Sequence, residues 1–169
     1  MKVTLMYAPT LYQWDTDRAV APETWYYRWQ KRLWSYFVSR ADDLDVVWKV
    51  GKGNMCEDPA REWRAPNVRY SSAPMWWELQ KVDRVFVDTL SNTVIWDASK
   101  ARVPVLCCYL RTDRKVLLSV EGKLHIYFCS SAEEVFAWLD RFIAGELKPL
   151  FLAPTDSDWL EKLERRAGR

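Results

Sequence analysis

Short apolar runs alternate with longer amphipathic stretches along this chain, and no other feature constrains its fold as tightly. Residues 3–8, 45–50, 67–71, 84–87 and 103–109 have strand length and are rich in β-branched and aromatic residues. The segments between them carry helical spacing. From 23 to 40, Trp25, Trp29, Leu33 and the pair Tyr36 and Phe37 recur every three or four residues, with Arg28, Lys31, Arg32 and Ser35 on the other side. Pro22 suits the first turn of that helix. A short helix is expected over 74–81, and another from about 90 to 100. Ser131 and Glu134 have the spacing of a capping box. The helix they start carries Val135, Leu139, Phe142 and Ile143 on one face and stops at Gly145. Residues 117–120 and 124–128 read as a hairpin around Glu121 and Gly122. A last helix is expected from Thr155 or Asp156, with Trp159, Leu160 and Leu163 on its apolar face.

Strands that alternate with helices favour a mainly parallel sheet covered on both faces. Most gaps between the strands supply the dozen residues that a parallel crossover needs. The expected fold is therefore a three-layer α/β, Rossmann-like unit. Its 169 residues fit one domain, 1–169, in which about 150–169 form a C-terminal helical extension.

Composition narrows the function classes. With 49% hydrophobic and 28% charged residues, the chain can bury a core and is not a disordered tract. No run of about 18 apolar residues exists to span a bilayer. Lys and Arg total 25 against 23 Asp and Glu, a net charge of +2, so nothing pulls the whole chain toward nucleic acid. The four cysteines, Cys56, Cys107, Cys108 and Cys129, form no CxxC motif, and His125 is the only histidine. Buried free thiols, no metal site and a cytoplasmic location are the resulting expectations. The 11 Trp stand far above ordinary usage, and composition alone does not divide them between core and site.

In a parallel α/β sheet, ligands bind beyond the carboxyl ends of the strands. That rule selects a few loops. The segment DTLSNT, 88–93, leaves the fourth strand and enters a helix. Helix-start amides lack internal partners, and Ser91, Asn92 and Thr93 are small enough to let an anion approach them. An ordinary serine cap gives the same local pattern. Gly51, Lys52, Gly53 and Asn54 follow the second strand and offer a close backbone approach with Lys49 or Lys52 beside it. They do not form a P-loop. Thr10 brings a hydroxyl to the same edge. Asp97 falls one turn into the helix, on the side of Thr93. Trp76 and Trp77 project about 100° apart from a short helix. One is expected to pack on the sheet and the other to meet a base or a partner. No triad, paired-carboxylate set or metal cluster is legible, and no catalytic residue is assigned.

Four of these segments also resemble a known family. YAPT (7–10), NVRYS (67–71), VDRVFVDTLSNT (82–93) and DASKARVPV (97–105) follow one another in order. They are similar to the "YAPT", "nvxxss", "aDxxItDySS" and "EAxxxGxPVL" segments of CDP-glycerol glycerophosphotransferase-like and capsule-polysaccharide transferases. The match covers about residues 1–110. The resemblance implies the C-terminal, donor-binding half of a GT-B architecture, acting in surface polysaccharide synthesis. Thr10 would then lie near phosphate, Ser91, Asn92 and Thr93 would hold the diphosphate, and Asp88 would support their loop. Asp97 would approach the ribose, with Lys52 nearby. The nucleotide-linked donor would be a substrate, and no cofactor is implied. Two positions depart from the family pattern. Lys49, Val50, Gly51 and Lys52 stand where a His-Pro pair is common, and Arg102 replaces the glycine before Val103 and Pro104.

The half that binds acceptor and supplies the base in such enzymes has no counterpart in these residues. The expectation is an excised domain, one subunit of a split enzyme, or a degenerate relative, incomplete for catalysis on its own. The rival readings are a non-enzymatic α/β interaction module and a complete small nucleoside-processing hydrolase.

Overall fold

The computed structural model describes residues 2–9, 22–50, 63–88, 94–110 and 125–151. Six strands form one sheet: β1 (Val3–Ala8), β2 (Leu44–Lys49), β3 (Val68–Ser71), β4 (Arg84–Val87), β5 (Val105–Tyr109) and β6 (His125–Phe128). Their order is β3-β2-β1-β4-β5-β6, and every neighbouring pair is parallel. This is the strand order of a doubly wound Rossmann sheet. The helices are α1 (Pro22–Ser39), α2 (Met75–Leu79), α3 (Val94–Lys100) and α4 (Ala132–Ile143). The Rossmann-like α/β fold expected from the alternation is what forms.

Handedness explains the layering. The chain steps outward from β1 to β2, then restarts at β4 and steps outward the other way to β5. Right-handed crossovers in opposite directions put their helices on opposite faces. Accordingly, α1 and α4 pack over one face, while α2 and α3 pack over the other. Alternation along each strand feeds both layers. In β1, Leu5 and Tyr7 enter the α1–α4 core, and Met6 and Ala8 enter the α2–α3 core. Cys108 and Cys107 divide in the same way, and both are free thiols, as is Cys129. Cys56 lies outside the described residues.

Register sets an aromatic row across the middle of the sheet. Tyr70, Trp48, Tyr7 and Phe86 are successive partners on β3, β2, β1 and β4. Tyr7 meets Trp48 edge-on at 4.7 Å and stacks with Phe86 at 5.5 Å. Trp29, Leu33 and Phe37 of α1 close over this row. Trp48 and Trp29 are thus core, as their patterns predict. Trp138 is only half-buried and stacks on Tyr127 at 3.5 Å.

The capping box is present at α4. The Glu134 amide donates to Ser131 Oγ, and the Glu134 carboxylate accepts from the Ser130 amide, one residue before the cap itself. Both α3 and α4 end in Schellman motifs. At α4, Gly145 takes φ +79°, its amide donating to Phe142 while that of Glu146 donates to Arg141. At α3 the left-handed residue is Arg102, φ +59°, with Arg102 bonded to Ser99 and Val103 to Ala98. The position where the resembled family carries glycine is therefore one whose backbone favours glycine.

The first strand of the expected hairpin, 117–120, lies outside the described residues; β6 itself pairs parallel with β5. The last expected helix also lies outside them. Among the described residues, no helix is long and apolar enough to cross a membrane.

Candidate functional site

The strand order reverses between β1 and β4, so the crevice of this sheet opens where Ala8 and Val87 end side by side. Asp88 is the first residue beyond β4 at that seam, and it is buried. Its Oδ2 accepts the Tyr7 hydroxyl at 2.6 Å and the Trp29 indole N–H at 3.1 Å. A buried carboxylate needs such donors, because desolvation without them costs several kcal/mol, on the order of 1–3 or more for each unmet partner. The two donors come from β1 and α1, so three elements are tied together at one oxygen. The charge also reaches into the core. Burial chiefly raises the Cys107 thiol far above its ordinary range, and the Asp88 carboxylate adds to that shift.

Of the other expected site residues, Asp97 is described. It is exposed on α3, while Val94, Ile95, Ala98 and Ser99 face the core. Thr10, Lys52, Ser91, Asn92 and Thr93 lie outside the described residues. Asp88, at the β1–β4 seam, and Val94, the first residue of α3, are the described residues on either side of 89–93. Lys49 has a structural task. Its ammonium donates to the carbonyls of Ala73 at 2.5 Å and Ser71 at 3.4 Å, fastening β2 to the turn after β3.

Next to that turn lies a second buried carboxylate. Glu78 of α2 is buried and takes both guanidinium nitrogens of Arg69, at 2.6 and 3.2 Å, together with the Ser71 hydroxyl. The Arg69 hydrogen bonds hold the Glu78 carboxyl down at about 2, against the opposing pull of burial. This pair anchors α2 beneath β3. It leaves Trp76 and Trp77 on the outer side, 62% and 44% exposed. Both indoles face out, so the expectation that one packs on the sheet is corrected. Glu78 and Leu79 take the inward positions of this five-residue helix instead. Lys81 caps the Trp77 ring at 4.0 Å.

His125 is structural. Its ring nitrogens contact the Tyr127 hydroxyl at 2.9 Å and the Lys148 carbonyl at 2.6 Å. Among the described residues no group of His, Cys, Asp and Glu is placed to hold a metal ion. Sequence reasoning missed Tyr7 and Trp29 as the holders of Asp88. Tyr7 sits in an apolar strand run and Trp29 on an apolar helix stripe, so each reads as core; the only signal is that both carry a polar tip.

No family model matches this sequence, and no curated protein does. Solved structures do match. The glycotransferase of kitacinnamycin superposes with a TM-score of 0.52 at 15% identity, over 96% of this chain and 39% of that one. The Rossmann-like α/β fold thus resembles one half of a GT-B fold. The spinosyn rhamnosyltransferase SpnG gives a TM-score of 0.50 at 13% identity, over 97% of this chain and 41% of that one. This chain therefore spans about two-fifths of the length of either.

Proposed function

We propose that this chain is the donor nucleotide-diphosphate-binding half of a glycosyl- or glycerophosphoryl-transferase of the CDP-glycerol and capsule-polysaccharide type. The observation that carries the reading is Asp88, a buried and doubly hydrogen-bonded carboxylate at the seam where a Rossmann sheet receives its ligand. Asp88 fixes the start of the 89–93 loop. Ser91, Asn92 and Thr93 then present hydroxyl, amide and backbone donors to the diphosphate. Lys52 and Thr10 approach it from the neighbouring strand ends, and Asp97 takes ribose hydroxyls. Catalytic assistance from this half is electrostatic: donors aimed at the phosphates stabilise the charge that grows on a departing nucleoside diphosphate. Acceptor binding and the general base belong to a second half or a partner subunit. Residues 1–169 act as one unit, with the segment after about 150 as an extension, on the cytoplasmic side where nucleotide-linked donors are made.

Isothermal calorimetry of the full chain with UDP, CDP, GDP and TDP tests this reading. At least one is expected to bind, and Ser91→Ala with Thr93→Ala is expected to weaken it by about tenfold or more, the loss of one or two charge-assisted bonds. Heats indistinguishable from dilution for all four would end the proposal.

A second reading rests on Trp76 and Trp77, the exposed large apolar side chains among the described residues. Adjacent exposed indoles are characteristic of binding hot spots. In that reading the chain is a non-enzymatic interaction module, whose partner association is indifferent to nucleotide.

A further inference from the structure

The outer face of α1 carries positive charge that no carboxylate among the described residues fully neutralises. Between Thr24 and Ala41 the sequence holds Arg28, Lys31, Arg32 and Arg40, and no Asp or Glu. Two of these cations are neutralised by other elements. Arg32 pairs with Glu133 of α4, and Arg40 pairs with Asp43 and with Asp140. Arg28 and Lys31 have no carboxylate partner among the described residues and are exposed. They stand three residues apart, hence on neighbouring turns of one helix face.

Beside them runs a groove of about 700 Å³ between α1 and α4. Arg28, Lys31 and Arg32 line it, with Ser35, and its floor includes the rings of Tyr36 and Phe136. Those rings are stacked, 4.6 Å between centroids and 5° between planes, and Trp29 continues the stack at 6.2 Å from Phe136. The floor is rigid. The Tyr36 hydroxyl donates to Asp140 at 2.7 Å, and Asp140 is held in turn by Arg40. Burial and the neighbouring carboxylate both disfavour ionisation of Tyr36, so the ring stays neutral.

A cationic rim over an aromatic floor calls for a ligand that brings separate negative charges and apolar side chains together. A compact phosphate does not fit that description, since mid-helix amides are occupied and no backbone donors converge here. A nucleic acid does not fit either. Its continuous charge would run into Glu133 and Asp140, which flank the groove and are 71% and 51% exposed. Discrete carboxylates with apolar residues between them avoid both conflicts.

We propose that the α1–α4 groove docks an acidic peptide segment of a partner protein, whose carboxylates pair with Arg28 and Lys31 and whose apolar side chain lies on the Tyr36–Phe136 stack. This surface is independent of the β1–β4 seam, so the partner is bound with or without nucleotide.

Fluorescence anisotropy with the full chain tests it. The probe is a fluorescein-labelled peptide of about ten residues with Glu or Asp alternating with Leu and Phe, and its Gln-for-Glu counterpart is the control. The acidic peptide is expected to bind more tightly than the control. Arg28→Gln with Lys31→Gln is expected to weaken it by about fivefold or more, as two lost ion pairs imply. Raising NaCl from about 0.05 to about 0.5 M should weaken it further in the unaltered chain than in that variant. Arg28→Glu with Lys31→Glu should transfer the preference to a Lys-containing peptide. These side chains are exposed and have no carboxylate partner among the described residues, so the fold should be retained; Lys100→Gln with Lys148→Gln removes equal charge elsewhere and should change little. Equal binding of the acidic and Gln peptides, equal loss in the Lys100 and Lys148 variant, or stronger binding of a single-stranded oligonucleotide of matched charge would overturn the proposal.

Discussion

Replacing Asp88 by alanine removes the charged acceptor that two buried donors share, and the cost follows from which groups lose it. Tyr7 is fully buried and Trp29 is 5% exposed, so neither the hydroxyl nor the indole N–H can turn to bulk water. Each unsatisfied donor costs about 1–3 kcal/mol, which puts Asp88→Ala at roughly 2–6 kcal/mol. That is a large part of the roughly 5–15 kcal/mol that a domain commonly holds. Tyr7→Phe in the natural background loses one bond to a charged acceptor, about 1.5–3 kcal/mol. In the Asp88→Ala background the cost should shrink, because the bond to the Asp88 carboxylate is already gone and Tyr7→Phe can no longer remove it. Urea unfolding followed by circular dichroism measures all four corners of the cycle, with midpoints shifting at constant slope. The reasoning fails if Asp88→Ala costs less than about 0.5 kcal/mol, or if Tyr7→Phe is equally destabilising in both backgrounds.

Other consequences are as specific. The Glu78 carboxyl is held near 2 in the folded chain by Arg69, below its ordinary value, so its contribution to stability is complete above the unfolded value, about 4.5, and is lost as pH falls toward 2. Thermal melts over that window should show this loss, and Glu78→Gln should flatten it. Gly145→Ala places a Cβ at φ +79° and 3.3 Å from the Arg84 guanidinium, and should destabilise by about 1–2 kcal/mol in chemical unfolding. Arg102→Gly should be more stable than Arg102→Ala in the same assay, because both lose the contact with Phe151 while only glycine relaxes at φ +59°. Cys107 and Cys108 are buried with strongly raised thiols, so iodoacetamide should label them only after unfolding.

The sheet was readable because its parallel strands, buried on both faces, must be short continuous apolar runs; β1, β2 and β4 stand within a residue of their expected limits. Strand order is not encoded in periodicity; it follows from right-handed crossovers once two helices are assigned to opposite faces. The site was half legible. Asp88 announces itself as an acid at the end of an apolar strand. Its partners do not, because Tyr7 and Trp29 have the burial pattern of core residues and only their polar tips do the holding. The tryptophans divide for a related reason. Trp48 lies in a strand covered on both faces, and Trp29 on a helix stripe that must face the sheet. Trp76 and Trp77 sit on a helix so short that one ion pair, buried Glu78 with half-exposed Arg69, decides which way it turns. No spacing rule contains that information.

The most direct measurement is made at the seam itself. The Trp29 indole N–H is hydrogen-bonded to Asp88, so its ¹⁵N–¹H resonance reports on the mouth of the β1–β4 crevice. Titration of the full chain with UDP, CDP, GDP and TDP should shift that resonance saturably with at least one of them, while the indole of Trp138 on the outer α4 surface stays in place. A Trp29 resonance unmoved by all four nucleotides would contradict the account.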